Sequence, residues 1–132
     1  MTTPAEIGLQ RWHEVVASRD ATALPGLIAD GAVFHSPAVH TPQEGRDVVT
    51  AYLAGAFVVL GPELRYHDEW LGERDAALRF TTVVDGLEVE GVDLIRWDDE
   101  GQIVDFTVMV RPFKALQAVM ARMLEELTRA SG

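Results

Sequence analysis

The chain has 132 residues, of which 48% are hydrophobic and 24% are charged, and its formal net charge is −10. This length and balance fit a single globular domain over residues 1–132, large enough to bury a core without disulfides. The acidic charge argues against a surface for nucleic acid or for an anionic membrane, and the absence of cysteine excludes disulfides and thiol chemistry.

The beginning of the chain has neither the basic start nor the apolar core of a signal peptide. The longest weakly polar run, residues 51–61, is too short to span a bilayer. We therefore expect a soluble, cytoplasmic protein.

Hydrophobic periodicity and turn residues predict helices in the first half of the chain and strands in the second. In chain order, the patterns predict a helix from Pro4 to about 18–20, a short helical piece over 21–29, a strand over 31–36, a helix from about Gly45, strands over 63–71, 75–85, 88–98 and 102–111, and a last helix after Pro112. Residues 3–6 (Thr-Pro-Ala-Glu) have the form of a capping box for the first helix. The short turns between the four late strands imply antiparallel neighbours.

Two apolar faces are expected near the end of the chain. The last strand should turn Val104, Phe106, Val108 and Val110 to one side, and the stripe of the last helix should be Phe113, Leu116, Met120, Met123 and Leu127. The strand face needs covering by helices or by another subunit.

One carboxylate falls on an otherwise apolar strand face. A period-two pattern over 88–98 places Val89, Gly91, Asp93, Ile95 and Trp97 on the same side. A carboxylate in apolar surroundings is costly to keep charged, so Asp93 should pair, accept hydrogen bonds or stay protonated. A protonated Asp93 would donate a hydrogen bond of the kind that stabilises an oxyanion. The alternative is a structural acid, paired with an arginine such as Arg79 or bonded to a backbone amide.

The order of elements, with residues 34–37 leading through Gly45 into a helix and residues 90–93 preceding the turn and strand start at 99–103, resembles the nuclear transport factor 2-like superfamily over essentially the whole chain. This group includes ketosteroid isomerases, SnoaL-like polyketide cyclases, scytalone dehydratase and limonene epoxide hydrolases. The resemblance implies an α+β, cystatin-like fold in which a curved mixed or antiparallel sheet wraps over helices as a cone. It also implies a deep apolar pocket and a homodimer formed through the outer face of the sheet.

Ketosteroid isomerases use a tyrosine and a protonated aspartate as oxyanion donors, together with an aspartate base. The resemblance places Asp93 at the oxyanion aspartate, Ser36 at the base and Trp12 at the tyrosine. Ser36 cannot accept a carbon-bound proton unaided at neutral pH, and Trp12 offers only an indole N–H. Steroid isomerisation by that set of groups is therefore not expected.

These arguments give a set of candidate site residues. The catalytic candidates are Asp93, Ser36 and His35, and the pocket candidates are Trp12, Tyr52, Ile95 and Met109. His35 and Ser36 are adjacent on a strand and should face opposite sides, with Ser36 inward and His35 outside or at an interface, although His35 stays a candidate base. No histidine or carboxylate spacing typical of metal ligands occurs, so we expect no metal and no cofactor.

Two functions follow from this reading. The first is an isomerase, cyclase, dehydratase or hydrolase that acts on a small, apolar, oxygen-bearing substrate with Asp93 as hydrogen-bond donor. The second is a non-catalytic module that binds a small ligand or acts through its dimer. In both, the expected partners are a small apolar ligand and a second copy of the chain.

Overall fold

The computed structural model describes residues 2–131, with side chains up to residue 129. In chain order the elements are α1 (Pro4–Ser18), a 3₁₀ helix (Ala21–Leu27), β1 (Ile28–His35), β2 (Gln43–Glu44), α2 (Arg46–Leu60), a 3₁₀ turn (Gly61–Glu63), β3 (Arg65–Leu71), β4 (Asp75–Val84), β5 (Leu87–Trp97), β6 (Ile103–Arg111) and α3 (Phe113–Ser131). The strands form one mixed sheet in the order β2-β1-β6-β5-β4-β3, with β1 and β6 parallel and the other pairs antiparallel. The predicted α+β fold is confirmed.

The predicted capping box begins α1. The Thr3 hydroxyl accepts a hydrogen bond from the Glu6 backbone N–H, and the Glu6 side chain accepts one from the Thr3 backbone N–H. The helical piece expected over 21–29 ends earlier, at Leu27, because Ile28 already pairs with Ile103 and starts β1. The N-terminal segment is therefore fixed by its cap and by the sheet.

The main core lies between the inner face of the sheet and helices α1 and α2. Its largest fully buried members include Leu53, Leu78, Phe80, Ile95, Trp97 and Phe106. The predicted alternation of β5 holds, since every second residue from Val89 to Trp97 is buried. β5 thereby carries Asp93 into the interior.

A bulge in β6 changes one predicted inner position. Arg96 pairs with Asp105 whereas Trp97 pairs with Ile103, so Val104 is the extra residue of the bulge. Ile103, 1% exposed, takes the buried position that Val104 was expected to hold, and only from Phe106 onward does the predicted face apply.

Helix α3 is rotated from its predicted orientation. Ala115 and Val119 are its buried residues, and they pack in a small cluster with Val84 and Val89 of the sheet. Phe113, which was expected in the buried stripe, is 72% exposed. Small side chains at 115 and 119 allow the helix to approach the sheet closely, which leaves larger side chains of α3 beside the groove described below.

Candidate functional site

Asp93 occupies the middle of β5, where its cross-strand neighbours are Leu78 and Val108. The residue is 6% exposed. Burial raises the pKa of the Asp93 carboxyl to about 7, and a hydrogen bond from Tyr66 lowers that pKa in part. Near neutral pH the carboxyl group is therefore present in both its protonated and its ionised forms.

Tyr66 and Trp12 connect to Asp93 through two hydrogen bonds. The Tyr66 hydroxyl donates to Oδ2 of Asp93 at 2.6 Å, and Nε1 of Trp12 donates to the Tyr66 oxygen at 3.0 Å. Burial raises the pKa of Tyr66 well above its usual value, so its phenol stays neutral and remains a donor. Residues from α1, β3 and β5 thus form one polar chain that ends on the carboxyl group.

One oxygen of Asp93 has no recorded hydrogen-bond partner. Among the side chains described, up to residue 129, the structure records a hydrogen bond to Oδ2 and none to Oδ1. Asp93, Tyr66 and Trp12 line an inner cavity of about 40 Å³ whose other walls are apolar. A space of this size holds about one water molecule or the tip of a ligand.

A larger apolar groove adjoins this inner cavity. It has a volume of about 560 Å³ and lies between α2, α3, β6 and residues 36–39. Ala56, Leu60 and Val108 line both spaces, so a ligand in the groove is one layer of side chains from Asp93. The volume falls within the roughly 300–1,000 Å³ of small-molecule sites. Of the described residues lining the two spaces, Asp93 alone carries a carboxyl, amine, guanidinium or imidazole group.

Three of the other candidates from the sequence lie at these spaces. Trp12 lines the inner cavity, and Ser36 and Tyr52 line the groove. Ile95 shares the inner face with Asp93 but is buried in the main core and lines neither space.

Met109 and His35 are placed elsewhere. Met109 was expected in the pocket, but it is 55% exposed on the outer face, because it follows the inward Val108 on a strand that alternates. His35 also lies away from both spaces, with Nε2 at 3.1 Å from Oδ2 of Asp105. The alternative in which Arg79 pairs with Asp93 is not found, since Arg79 binds Asp68 and Glu90 instead.

Sequence reasoning missed Tyr66. It lies on an edge strand whose other residues are all exposed, so no alternation marks it as inward. The available signal was chemical: a buried acid requires a donor, and a tyrosine on a neighbouring part of the sheet is well suited to supply one.

Two kinds of feature, a membrane-spanning helix and a metal-binding cluster, are not found among the described residues. No helix among the described residues is both long and apolar enough to cross a membrane. In that same part of the chain, no three His, Asp or Glu side chains come together in a way that could hold a metal ion.

Comparisons with known proteins identify the family. A family model described as a SnoaL-like domain matches residues 9–106. Among solved structures, a steroid Δ-isomerase from Pseudomonas aeruginosa is 39% identical, with a TM-score of 0.92 over 96% of this chain and 93% of that one. No curated protein matches significantly. The chain belongs to the SnoaL-like domain family of the nuclear transport factor 2-like superfamily, as the resemblance predicted.

Two further structures extend the comparison. An uncharacterised bacterial protein with a cystatin-like fold from Silicibacter pomeroyi DSS-3 is 35% identical, with a TM-score of 0.83 over 89% of this chain and 83% of that one. A protein of unknown function and nuclear transport factor 2-like fold from Mesorhizobium loti is 26% identical, with a TM-score of 0.72 over 83% and 91% of the two chains. Helix α3 lies outside the segment matched by the family model.

Proposed function

We propose that the chain is an isomerase- or cyclase-type enzyme that acts on a small, neutral, apolar ligand through an oxygen atom bound by Asp93. The observation that carries this proposal is the free Oδ1 of a buried carboxyl group whose pKa is about 7. Acids with such perturbed pKa values concentrate at active sites, because general acid–base catalysis works best near the operating pH.

The chemistry begins with the protonated form of Asp93. Its Oδ1–H donates a hydrogen bond to a carbonyl oxygen of the ligand and stabilises the negative charge that grows there as an enolate forms. If the proton moves fully to that oxygen while water removes the carbon-bound proton, an enol and a carboxylate result, and Tyr66 stabilises the carboxylate through Oδ2. A single donor of this kind contributes on the order of 10²- to 10³-fold in rate.

The carbon-bound proton must also have an acceptor. Of the described residues that line the two spaces, ionised Asp93 offers the one strong base, and Ser36 offers only a hydroxyl group. The carboxyl group that donates to the ligand oxygen cannot accept the carbon-bound proton in the same step, so proton removal runs through water. In this respect the site differs from the set of a tyrosine and two aspartates implied by the isomerase resemblance.

The solved steroid Δ-isomerase from Pseudomonas aeruginosa, 39% identical to this chain, supports a reaction of the proton-transfer class. The groove is lined by apolar side chains and by the neutral polar groups of Ser36, Tyr52 and Gln117, and this lining supports a neutral ligand. A second candidate function is a non-catalytic ligand-binding module, and it is favoured by the absence of a separate base among the lining residues that the structure describes.

Hydrogen exchange on a simple apolar ketone distinguishes these functions. A tetralone is incubated with the protein in deuterated water, and exchange at the carbon beside the carbonyl is followed by NMR for the wild type, Asp93→Leu and Asp93→Asn. We expect the wild type to accelerate exchange and Asp93→Leu to lose that effect. Asp93→Asn should bind the ketone, since its amide still donates, but should exchange it more slowly than the wild type, because an amide does not transfer its proton to the enolate oxygen.

Binding is measured in parallel by calorimetry. Ketone binding without accelerated exchange in the wild type would favour the non-catalytic module. Equal exchange by the wild type and Asp93→Leu would overturn the role of Asp93.

A further inference from the structure

Two hydroxyl groups in the groove lie apart from the polar chain of Asp93. Tyr52 projects from α2, its ring stacks on Phe34 with centroids 5.1 Å apart, and it is half-buried. Among the side chains of residues 2–129 its hydroxyl has no recorded hydrogen-bond partner. Ser36 follows Phe34 by two residues, and its Oγ accepts the Ala38 backbone N–H at 3.0 Å, so its own proton remains available. Both side chains line the groove.

A row of aromatic rings connects these hydroxyl groups to the inner cavity. The centroid of Trp12 is 5.0 Å from that of Phe106, which is 6.1 Å from that of Phe34, and the ring of Tyr52 in turn stacks on Phe34. Polar groups therefore occur at both ends of this row, while its middle is apolar. Such an arrangement suits a rigid apolar ligand that carries one polar atom at each end.

The charge of the lining limits what the second polar atom can be. No arginine, lysine or histidine is among the described residues that line the groove or the inner cavity, and the chain as a whole has a net charge of −10. A carboxylate, sulfate or phosphate there would lose its hydration without gaining a cation. A hydroxyl or ketone oxygen would instead accept a hydrogen bond from a neutral phenol.

We propose that Tyr52, assisted by Ser36, forms a second polar subsite that binds a neutral oxygen at the end of the ligand remote from Asp93. This inference rests on the proposed function, in which the ligand spans the two adjoining spaces. It defines the ligand class as a rigid apolar molecule with two oxygen functions. α3 completes the subsite with an apolar wall that includes Met120 and Leu124.

A pair of matched ligands tests the subsite. Estrone carries a phenol and a distant ketone, and deoxyestrone is the same molecule without the ketone. Equilibrium dialysis gives the Kd of both for the wild type, Tyr52→Phe and Asp93→Leu. Tyr52→Phe removes one oxygen and retains the ring that stacks on Phe34, and thermal unfolding checks that it folds like the wild type.

A hydrogen bond at Tyr52 predicts a specific pattern. The wild type should bind estrone about three- to tenfold more tightly than deoxyestrone, which is the range of one hydrogen bond. Tyr52→Phe should remove that preference by weakening estrone alone, and Asp93→Leu should weaken both ligands. Ser36→Ala should reduce the preference in part.

The contrary outcomes separate the two proposals. If both ligands bind the wild type equally and depend on Asp93, the second subsite is overturned while the proposed function stands. If both bind equally well to the wild type and to Asp93→Leu, or if neither binds, the ligand orientation on which both proposals depend is overturned.

Discussion

Tyr66 and Asp93 share a hydrogen bond of 2.6 Å although they belong to β3 and β5, which are separated in the sheet by β4. The bond opposes the effect of burial on the acid: burial favours the protonated carboxyl group, whereas a donated hydrogen bond favours the carboxylate. Together these two effects keep the pKa of Asp93 near neutral pH, where the group can both donate and accept a proton.

Replacing Tyr66 by phenylalanine should therefore raise the pKa of Asp93 above its present value of about 7. A hydrogen bond to a charged group is worth about 1.5–3 kcal/mol, so the rise should be about one unit or more. The measurement is an NMR titration of the Asp93 side-chain carbon. Tyr52→Phe is the matched control, because Tyr52 makes no recorded contact with Asp93. An unchanged or lowered pKa in Tyr66→Phe would show that the bond does not favour the carboxylate.

The raised pKa of Asp93 also predicts how stability depends on pH. Because the folded pKa lies above the unfolded one of about 3.9, the contribution is complete below pH 4 and is lost as the pH rises through about 7. Between about pH 5 and pH 8 the wild type should lose roughly 2–3 kcal/mol of unfolding free energy through this group. Asp93→Asn has no titrating group at this position, so its unfolding free energy should not fall in this way. The difference in unfolding free energy between the wild type and Asp93→Asn, measured in urea, should therefore change by that amount over this pH range. A difference that does not vary with pH would contradict the raised pKa.

Gly91 makes close packing beside the site possible. A Cβ atom at this position would lie 2.4 Å from Cζ of Phe80 and 2.6 Å from the Met109 carbonyl oxygen. Gly91→Ala should destabilise the protein by about 1–3 kcal/mol in urea unfolding, because Phe80 and the strand must move. Gly31→Ala is the control, since no atom beyond its two chain neighbours lies within 4 Å of its Cβ position. Equal unfolding free energies of the two variants would show that Phe80 can move aside without a loss of stability.

The outer face of the sheet carries exposed apolar side chains, including Trp70 at 58% and Met109 at 55%. We predict that this face joins two copies of the chain, because apolar side chains grouped on a strand surface favour burial. Met109→Lys should then shift the mass found by light scattering at micromolar concentration from dimer toward monomer. Val58→Lys alters an equally exposed apolar residue on α2 and should leave the mass unchanged. A monomeric wild type would refute the dimer.

The fold could be predicted from the sequence because local patterns agree with tertiary burial in most elements. β5 is an example: it is covered on one face only, and its alternation brings Asp93 inside as expected. α3 was harder to orient, since its sequence contains apolar residues on more than one side and the choice depends on how closely Ala115 can approach the sheet.

The site could be predicted only in part. Asp93 stands out in sequence because its neighbours on the same strand face are apolar, and that contrast is local. Its partnership with Tyr66 arises from contacts across three strands, on an edge strand that has little buried surface of its own. Met109 was placed wrongly although a local pattern was available. Strand alternation beside the inward Val108 predicts that Met109 faces outward, as the structure shows.

Helix α3 lies beyond residue 106, where the match to the family model ends, whereas Trp12, Tyr66 and Asp93 lie within the matched segment. The reactive groups and one wall of the ligand groove therefore belong to separable stretches of the chain. A change confined to this terminal helix would reshape one wall of the groove and leave the acid, its phenol and the hydroxyl groups of Tyr52 and Ser36 in place. A hybrid protein that joins the first 112 residues of this chain to a relative's last helix would therefore keep its chemistry and take one apolar wall of its ligand site from the second parent.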